Sequence, residues 1–249
     1  MNWKIIHIDE TDSTNRWLRE RLKQTADSCQ PVAVWADYQS AGRGCGTNTW
    51  ESERGKNLTF SLLIYPTEVP ANRQFAISEW VSVALCETLE HYIYNKVEIK
   101  WPNDIYVEGK KIAGILIENT LQGDHIKESI IGIGLNVNQQ EFLSDAPNPV
   151  SLCQILGHEV DREEVLQHFL RQKTMFSDVE NNFFHYRKRL FLRWKKATYQ
   201  DKDGRFKATL KDVEPDGRLL LLDEEGRERR YAFKEVQFII DNSLTNVKV

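Results

Sequence analysis

Four clusters of polar residues interrupt apolar stretches of this chain, and they hold the residue types that could do chemistry. They are TDSTN (11–15), QSAGRGCGTNTW (39–50), KWPNDIYV followed by KKIAG (100–114), and GIGLNVN (132–138). Each also has an ordinary structural explanation: a helix cap, a surface loop, a turn and a closely packed strand. The combination of clusters therefore carries more information than any one of them.

The glycine-rich second cluster favours an anion as its ligand. Backbone N–H groups of glycine can approach phosphate oxygens closely because no Cβ atom intervenes. Arg43 adds a planar cation that suits a carboxylate or a phosphate. A GRG sequence alone is a weak signal, and a surface loop without a ligand stays open as the alternative.

The third cluster predicts a rigid corner that carries a carboxylate. Pro102 favours an extended conformation of Trp101 and ends the strand, so that Asn103 and Asp104 project from a fixed position. Asp104 can orient Mg²⁺ or a hydroxyl group, and Lys111 begins the partner strand close by. Turn chemistry explains Pro-Asn-Asp equally well, and lysines beside a hairpin turn are usually solvated.

An asparagine and a tryptophan complete the set. Asn136 lies in an apolar run and needs a hydrogen-bond partner there, whereas Trp50 offers a ring for stacking. Glycines, the cations Arg43 and Lys111, a carboxylate and an aromatic ring together suit the activation of a carboxylate by ATP. When a carboxylate attacks the α-phosphate, negative charge grows on the phosphate oxygens, and a fixed cation and a metal ion stabilise that charge.

Periodicity predicts the strands and helices that position these clusters. Seven apolar or alternating segments are predicted as strands, at 3–8, 32–37, 57–65, 97–100, 104–107, 111–119 and 126–138. The predicted helices begin after Asp12 or Ser13 and also cover 72–94, 161–180 and 182–195. Each polar cluster then falls at the end of a strand or the start of a helix.

After Lys196 the pattern changes to strands of period two, separated by EPDG and DEEG turns. This pattern is typical of a small antiparallel barrel. We therefore place a domain boundary near Ala197, which divides the chain into residues 1–196 and 197–249.

Composition narrows the class of protein. The 249 residues carry a formal net charge of −4, which offers no general reason to expect nucleic-acid binding. The start of the chain does not resemble a signal peptide, and no apolar run is long enough to span a bilayer. The four cysteines are scattered and the histidines lack metal-binding spacing, so a reducing cytoplasm without a zinc site is expected.

The clusters DSTN, the GRG loop ending at Trp50, KWPNDIYV, KKIAGILIE and GIGLNVN occur in the order and spacing of the biotin protein ligases, and the chain resembles that family over nearly its whole length. The resemblance implies an α+β fold, with a catalytic domain of mixed β-sheet flanked by helices and a small C-terminal Src-homology-3-like barrel. It also implies a two-step reaction: biotin and MgATP form biotinyl-5′-AMP, and a lysine of a biotin carboxyl carrier protein then attacks the adenylate.

The resemblance also implies roles for individual residues. The catalytic residues would be Lys111, Arg43 and Asp104, and Asp104 would lie near the Mg²⁺ ion. Biotin would be bound by Ser13, Thr14, Asn15, Gln39, Arg43, Gly44, Cys45, Lys111, Gly114 and Leu116. ATP would be bound by Arg43, Trp50, Asn103, Asp104, Lys111 and Asn136. No permanently bound cofactor, no specific DNA and no membrane partner are expected, whereas a homodimer is possible.

Two residues depart from the family pattern. Cys45 stands where the loop usually has Arg or Gln, and Thr47 stands where it usually has a second glycine. Because Cys45 lies in a polar loop beside Arg43, a reactive thiolate is expected, and a thiol turned inward as a small apolar group is the alternative. Three other functions stay open: a lipoate–protein ligase, a repressor that uses the basic run RKRLFLRWKK (187–196), and an inactive biotin-binding module.

Overall fold

The computed structural model of the protein describes residues 2–24, 29–143, 148–172 and 178–240. Its larger sheet has the strands β1 (Lys4–Thr11), β2 (Val32–Gln39), β3 (Leu58–Ile64), β4 (Val97–Lys100), β5 (Asp104–Val107), β6 (Lys110–Gln122) and β7 (His125–Leu135). Their order is β1-β2-β3-β7-β6-β5-β4. β1 and β2 are parallel, and all other neighbouring strands of this sheet are antiparallel. The seven predicted strands are confirmed, with bounds that differ by a few residues.

The core of this sheet lies against the long helix α2 (Phe75–Tyr92), which follows a 3₁₀ turn at Ala71–Arg73. α2 contacts β4, β5 and β6 on one side and two further helices, α4 (Arg162–Leu170) and α5 (Val179–Lys188), on others. It is therefore apolar around most of its circumference, as a helix surrounded by protein must be. β3 is buried along its whole length because it lies between β2 and β7 in the middle of the sheet.

Two shorter helices frame the sheet. α1 (Thr14–Gln24) packs against β2, β3 and β7 and begins where the Ser13 carbonyl accepts the first helical hydrogen bond, from the Trp17 N–H. α3 (Leu152–Leu156) has a capping box at Ser151, whose hydroxyl accepts from the Gln154 N–H. The helix predicted to begin in the first cluster, after Asp12 or Ser13, is thus confirmed.

The two predicted helices at 161–180 and 182–195 are shorter than expected. α4 ends at Leu170, α5 starts at Val179, and residues 173–177 lie outside the described residues. α5 stops at Lys188 because the chain beyond it pairs with the edge of the sheet: the Ile99 N–H donates to the Arg189 carbonyl, and the Phe191 N–H donates to the Ile99 carbonyl. A helix that continued to residue 195 would remove these bonds.

The predicted corner at Pro102 is present. Residues 101–103 form a turn, and the Trp101–Pro102 peptide bond is cis. The reason is that β4 and β5 are antiparallel neighbours separated by three residues, and the chain must reverse between them.

The smaller sheet is antiparallel throughout and has the strands β8 (Lys196–Asp201), β9 (Gly204–Val213), β10 (Leu219–Asp223), β11 (Glu228–Tyr231) and β12 (Gln237–Ile239). Their order is β11-β10-β9-β8-β12. The predicted EPDG and DEEG turns end in Gly217 and Gly226, both with positive φ. This sheet fits a small barrel-like domain and confirms the α+β class; residues 241–249 of the predicted barrel lie outside the described residues.

The smaller sheet is held against the corner that precedes β5. The indole Nε1 of Trp101 donates to the Gly217 carbonyl at 2.8 Å, and Arg193 pairs with Asp212 at 3.2 Å. These contacts bring the loop between β11 and β12 beside the polar clusters of the larger sheet. None of the helices in the described part of the chain is long and apolar enough to span a membrane.

Candidate active site

The predicted polar clusters meet in one cavity of about 730 Å³. Its floor is the face of β6 and β7, and its walls are the start of α1, the 42–50 loop, the corner before β5 and the loop between β11 and β12. Thirteen of the predicted site residues line it: Ser13, Thr14, Asn15, Gln39, Arg43, Gly44, Cys45, Trp50, Asn103, Asp104, Lys111, Gly114 and Leu116. The predicted residue outside the lining is Asn136.

One end of the cavity is polar and almost uncharged. The Thr14 N–H and hydroxyl both donate to Oε1 of Gln39, at 2.8 and 3.0 Å. The Ser61 hydroxyl lies 2.7 Å from the Thr14 hydroxyl and 2.6 Å from Oδ1 of Asn15. Gln39 is the last residue of β2, and its pairing with Thr11 at the end of β1 sets it beside the start of α1. The sheet register therefore assembles this network.

Asn15 links this network to a carboxylate. Its Nδ2 donates to Oε2 of Glu118 at 2.8 Å, and the carboxylate of Glu118 also pairs with Arg19 at 2.8 Å and lies 3.9 Å from Arg43. Gly132 makes the approach possible, because a Cβ atom there would be 2.5 Å from Oδ1 of Asn15. The first glycine of GIGLNVN is thus required by a side chain that stands directly on its backbone.

A cluster of charges occupies the middle of the cavity. The ammonium of Lys111 lies 2.6 Å from Oδ1 of Asp104, and that of Lys100 lies 3.8 Å from Oδ2 of the same carboxylate. Lys111 is the second residue of β6 and pairs with Tyr106 of β5, whereas Lys110 is exposed. Burial lowers the pKa of Lys100, an effect that Asp104 opposes and Lys111 reinforces. One carboxylate is therefore shared between two lysines.

Asn103 ties the 42–50 loop to the floor of the cavity. Its Nδ2 donates to the Ile115 carbonyl at 2.5 Å and to the sulfur of Cys45 at 3.0 Å. The Cys45 thiol points toward the same carbonyl, 3.8 Å away. Burial raises the pKa of this thiol, so the expected thiolate is wrong, and Cys45 is the inward-facing thiol of the alternative interpretation. The physical reason is the burial of the thiol, whose effect exceeds the opposing effect of the hydrogen bond from Asn103.

The 42–50 loop is a small hairpin that lays an indole on the cavity floor. The Gly44 N–H donates to the Asn48 carbonyl at 2.8 Å, and the Trp50 N–H donates to the Gly42 carbonyl at 3.0 Å. A Cβ atom on Gly134 would be 2.2 Å from the Trp50 ring, and the Lys111 ammonium is 5.8 Å from the ring centroid. The indole N–H is buried and has no hydrogen-bond partner among the described residues.

Asn136 lies outside the cavity lining, and its contact with the nucleotide stays a prediction. It is buried behind the floor, where its Nδ2 donates to the Val150 carbonyl at 3.0 Å and its N–H donates to the Ile112 carbonyl at 2.9 Å. The Val150 N–H donates in turn to the Lys111 carbonyl at 2.9 Å. Asn136 therefore satisfies the predicted need for a partner by holding the segment that carries Lys111.

Sequence reasoning missed several residues of the site. Ser61 and Glu118 belong to the polar network, Lys100 to the charged cluster, and the loop between β11 and β12 contributes Phe233 and Lys234. A signal existed for Ser61, since a lone serine in a strand as apolar as LTFSLLI needs a partner just as Asn136 does. The last two had no local signal, because they come from the other sheet.

The arrangement suits a long substrate with a neutral head and an anionic end. Among the described lining residues, Arg43, Lys100, Lys111 and Lys234 are cations and Asp104 is the one carboxylate. The site is thus electropositive although the chain carries a net charge of −4. Two acidic groups, such as a carboxylate and a phosphate, can be brought together beside Lys111 with their mutual repulsion reduced.

Known proteins are similar to this chain in sequence. A model of the biotin/lipoate A/B protein ligase family matches residues 8–136. The bifunctional ligase/repressor BirA of Bacillus subtilis is 35% identical over 175 residues, which are 68% of this chain and 52% of that protein. The biotin–[acetyl-CoA-carboxylase] ligase of Paracoccus denitrificans is 33% identical over 165 residues, 64% of this chain and 67% of that protein.

Solved structures agree with this result. The biotin protein ligase from Aquifex aeolicus in complex with biotin and ATP has a TM-score of 0.73 and 27% identity, and the match covers 96% of this chain and 99% of that one. The chain spans about half the length of the bifunctional relatives that it matches. The resemblance found in the sequence is confirmed, and the chain belongs to the biotin/lipoate A/B protein ligase family.

Proposed function

We propose that the protein is a biotin protein ligase. It joins biotin and ATP to form biotinyl-5′-AMP and pyrophosphate, and then transfers the biotinyl group to a lysine of a biotin carboxyl carrier domain, which releases AMP. The observation that carries this proposal is the Lys111–Asp104 pair, placed between a neutral polar network and a glycine-rich loop with Arg43. Ligases that act with biotin and ATP are among the relatives.

Lys111 is the central cation of the first step. The carboxylate of biotin and the α-phosphate of ATP are both anionic, and Lys111 reduces their repulsion as the new C–O–P linkage forms. Asp104 holds its ammonium at 2.6 Å, so the cation is in position before the substrates react. As the α-phosphate gains charge, the ammonium strengthens its hold on the phosphate oxygens, which lowers the barrier.

Asp104 also serves the metal that enters with ATP. Mg²⁺ in such sites is held mainly by phosphate oxygens and water, with one or two protein carboxylates. Asp104 is the one carboxylate of the described cavity lining, so the residues present fit this requirement. The role of Asp104 is to orient MgATP, and the ion neutralises the departing pyrophosphate.

The neutral network favours biotin over lipoate, the other acid named in the family. The ureido ring of biotin has one acceptor and two donors, which match the hydroxyl and amide groups of Thr14, Gln39 and Asn15. The dithiolane ring of lipoate has no comparable groups and would form no such hydrogen bonds with these side chains. A site built for hydrogen bonds rejects an analogue without them strongly.

The deciding experiment is single-turnover adenylation with biotin and lipoate in parallel. Pyrophosphate and an acyl adenylate should form with biotin, and lipoate should react far more slowly. Faster reaction with lipoate would replace the proposed substrate, and binding of biotin without pyrophosphate release would identify an inactive binding module instead.

We also propose a division into a catalytic domain, 1–196, and a small barrel, 197–249, in line with the first strand of the second sheet, Lys196–Asp201. The acceptor is the carrier domain of a biotin-dependent carboxylase, as the name of the Paracoccus relative suggests. A homodimer, a cytoplasmic location and the lack of specific DNA binding stay predictions of the sequence.

A further inference from the structure

A lysine in the loop between β11 and β12 adopts an unusual backbone conformation. Lys234 has φ +70°, a region that side chains with a Cβ atom rarely adopt. Other turns of the same sheet place glycine in this region, at Gly217 and Gly226. The loop thus carries a long cationic side chain at a position where glycine would adopt the backbone conformation with less strain. A role for the side chain would explain this choice of residue.

The side chain reaches across to the loop of the larger sheet. A Cβ atom on Gly46 would be 2.9 Å from the ammonium of Lys234 and 3.4 Å from its Cε. Gly46 itself has φ +73°. The ammonium therefore rests against the backbone of the 42–50 loop, on the cavity side, where both residues line the wall.

The ammonium of Lys234 differs from the other cations of the cavity. Lys100 and Lys111 lie near Asp104, and Arg43 lies near Glu118. No ion pair or hydrogen bond of the Lys234 ammonium occurs within the described ranges. A cation that lines an electropositive cavity and rests on glycine backbone, without a protein anion, is available for an anionic ligand.

The position selects the phosphate end of the cavity. Cys45, the neighbour of Gly46, experiences the charges of Asp104, Lys111 and Lys234 together. The neutral network around Thr14 and Gln39 belongs to the start of α1 and the end of β2, where no contact of Lys234 is found among the described residues. A polyphosphate chain that passes Lys111 therefore meets a second ammonium from the other sheet.

We infer that Lys234 binds the phosphate chain of ATP, so that the smaller sheet contributes directly to the nucleotide site. This inference rests on the proposed function, because ATP is the substrate that the proposal names. Lys234 contacts the nucleotide and the 42–50 loop at once, and it thereby links that loop to the bound nucleotide.

The test measures binding rather than turnover. Affinities for a non-hydrolysable ATP analogue, for inorganic pyrophosphate and for biotin are determined by calorimetry for the wild type and Lys234→Met. Loss of a charge-assisted hydrogen bond predicts about tenfold weaker binding of the analogue and of pyrophosphate, with unchanged biotin affinity. Lys202→Met, an exposed lysine in the turn between β8 and β9, is the matched control and should bind all three ligands as the wild type does.

A second variant separates ligand binding from folding. Lys234→Gly removes the ammonium and also relieves the left-handed conformation, so its Tm should equal or exceed that of the wild type while its ATP affinity falls as in Lys234→Met. Lys234→Arg should retain most of the affinity because it keeps the charge.

Three results would overturn the inference. If both uncharged variants bind ATP with wild-type affinity, Lys234 does not contact the nucleotide. If biotin and ATP binding weaken equally, Lys234 only maintains the shape of the loop. If carrier biotinylation slows while ATP affinity is unchanged, Lys234 contributes to binding of the carrier protein instead. A wild type that binds the ATP analogue through Lys234 but forms no biotinyl adenylate would instead contradict the proposed function.

Discussion

Glu79 offers a test of the structure that does not depend on enzymatic activity. Its side chain is fully buried in α2, and neither carboxyl oxygen has a hydrogen-bond partner among the described residues. Burial raises its pKa from 4.5 to about 7, and the positive charge of Arg73 opposes the shift only in part. The folded state therefore keeps a proton that the unfolded chain releases at lower pH.

The sign of the effect follows from this difference. Below pH 4.5 the carboxyl is protonated in both the folded and the unfolded state, so its ionisation does not change the free energy of unfolding. Between 4.5 and about 7 the folded state holds more protons, so the free energy of unfolding falls as the pH rises. A shift from 4.5 to about 7 corresponds to about 3 kcal/mol, at about 1.4 kcal/mol for each pKa unit, and this loss is complete at pH 8.

Glu79→Gln keeps the shape of the side chain and removes the ionisation. Its stability relative to the wild type should therefore rise with pH, by about 3 kcal/mol between pH 4.5 and pH 8. Urea unfolding of both proteins at intervals across this range measures the difference. Glu68→Gln, at an exposed position, is the control and should show a difference that is independent of pH. A flat difference for Glu79→Gln would show that its pKa is not raised, and a difference that falls with pH would show that the carboxylate is ionised and paired.

Three further predictions concern the site. Lys111→Ala should slow biotin adenylation by about 10²–10³-fold, whereas Lys110→Ala should change the rate little because the Lys110 side chain is on the exposed face. Equal losses of rate in rapid-quench assays would refute the role of Lys111 as the central cation. Gly132→Ala should weaken biotin binding because the new methyl group would displace Asn15, and Gly134→Ala should weaken ATP binding because its methyl group would displace the Trp50 indole. Calorimetry that shows the same ligand affected by both variants would contradict this prediction. Cys45 should react with iodoacetamide much more slowly than exposed Cys29 at pH 7.5, as peptide mass mapping can determine, since burial raises its pKa.

Much of the framework could be predicted from the sequence because it depends on local patterns. Alternation and apolar runs predicted the seven strands of the larger sheet, and the EPDG and DEEG turns predicted the antiparallel strands that follow Lys196. The resemblance to the biotin protein ligases also selected thirteen residues that line one cavity. The strands follow from a periodicity that any short window of sequence contains.

Other features depended on which distant segments meet. The length of α5 was wrong because residues after Lys188 pair with Ile99, and Cys45 was assigned a thiolate because the burial of its thiol could not be known from the loop. The partner of Asn136, the Val150 carbonyl, could not be identified from its own apolar run either. In each case the decisive contact is made by a residue that no local pattern identifies.

The sequence by itself determined the elements and the chemical groups of this protein, because hydrophobic period and turn chemistry are local properties. The tertiary structure alone decided how those groups act together. Pairing of β6 with β7 forms the floor of the cavity, and docking of the smaller sheet at Trp101 brings Lys234 against Gly46. The physical reason is that burial and electrostatic environment depend on packing between segments far apart in the chain, and they set both the pKa of a group and the partner it meets.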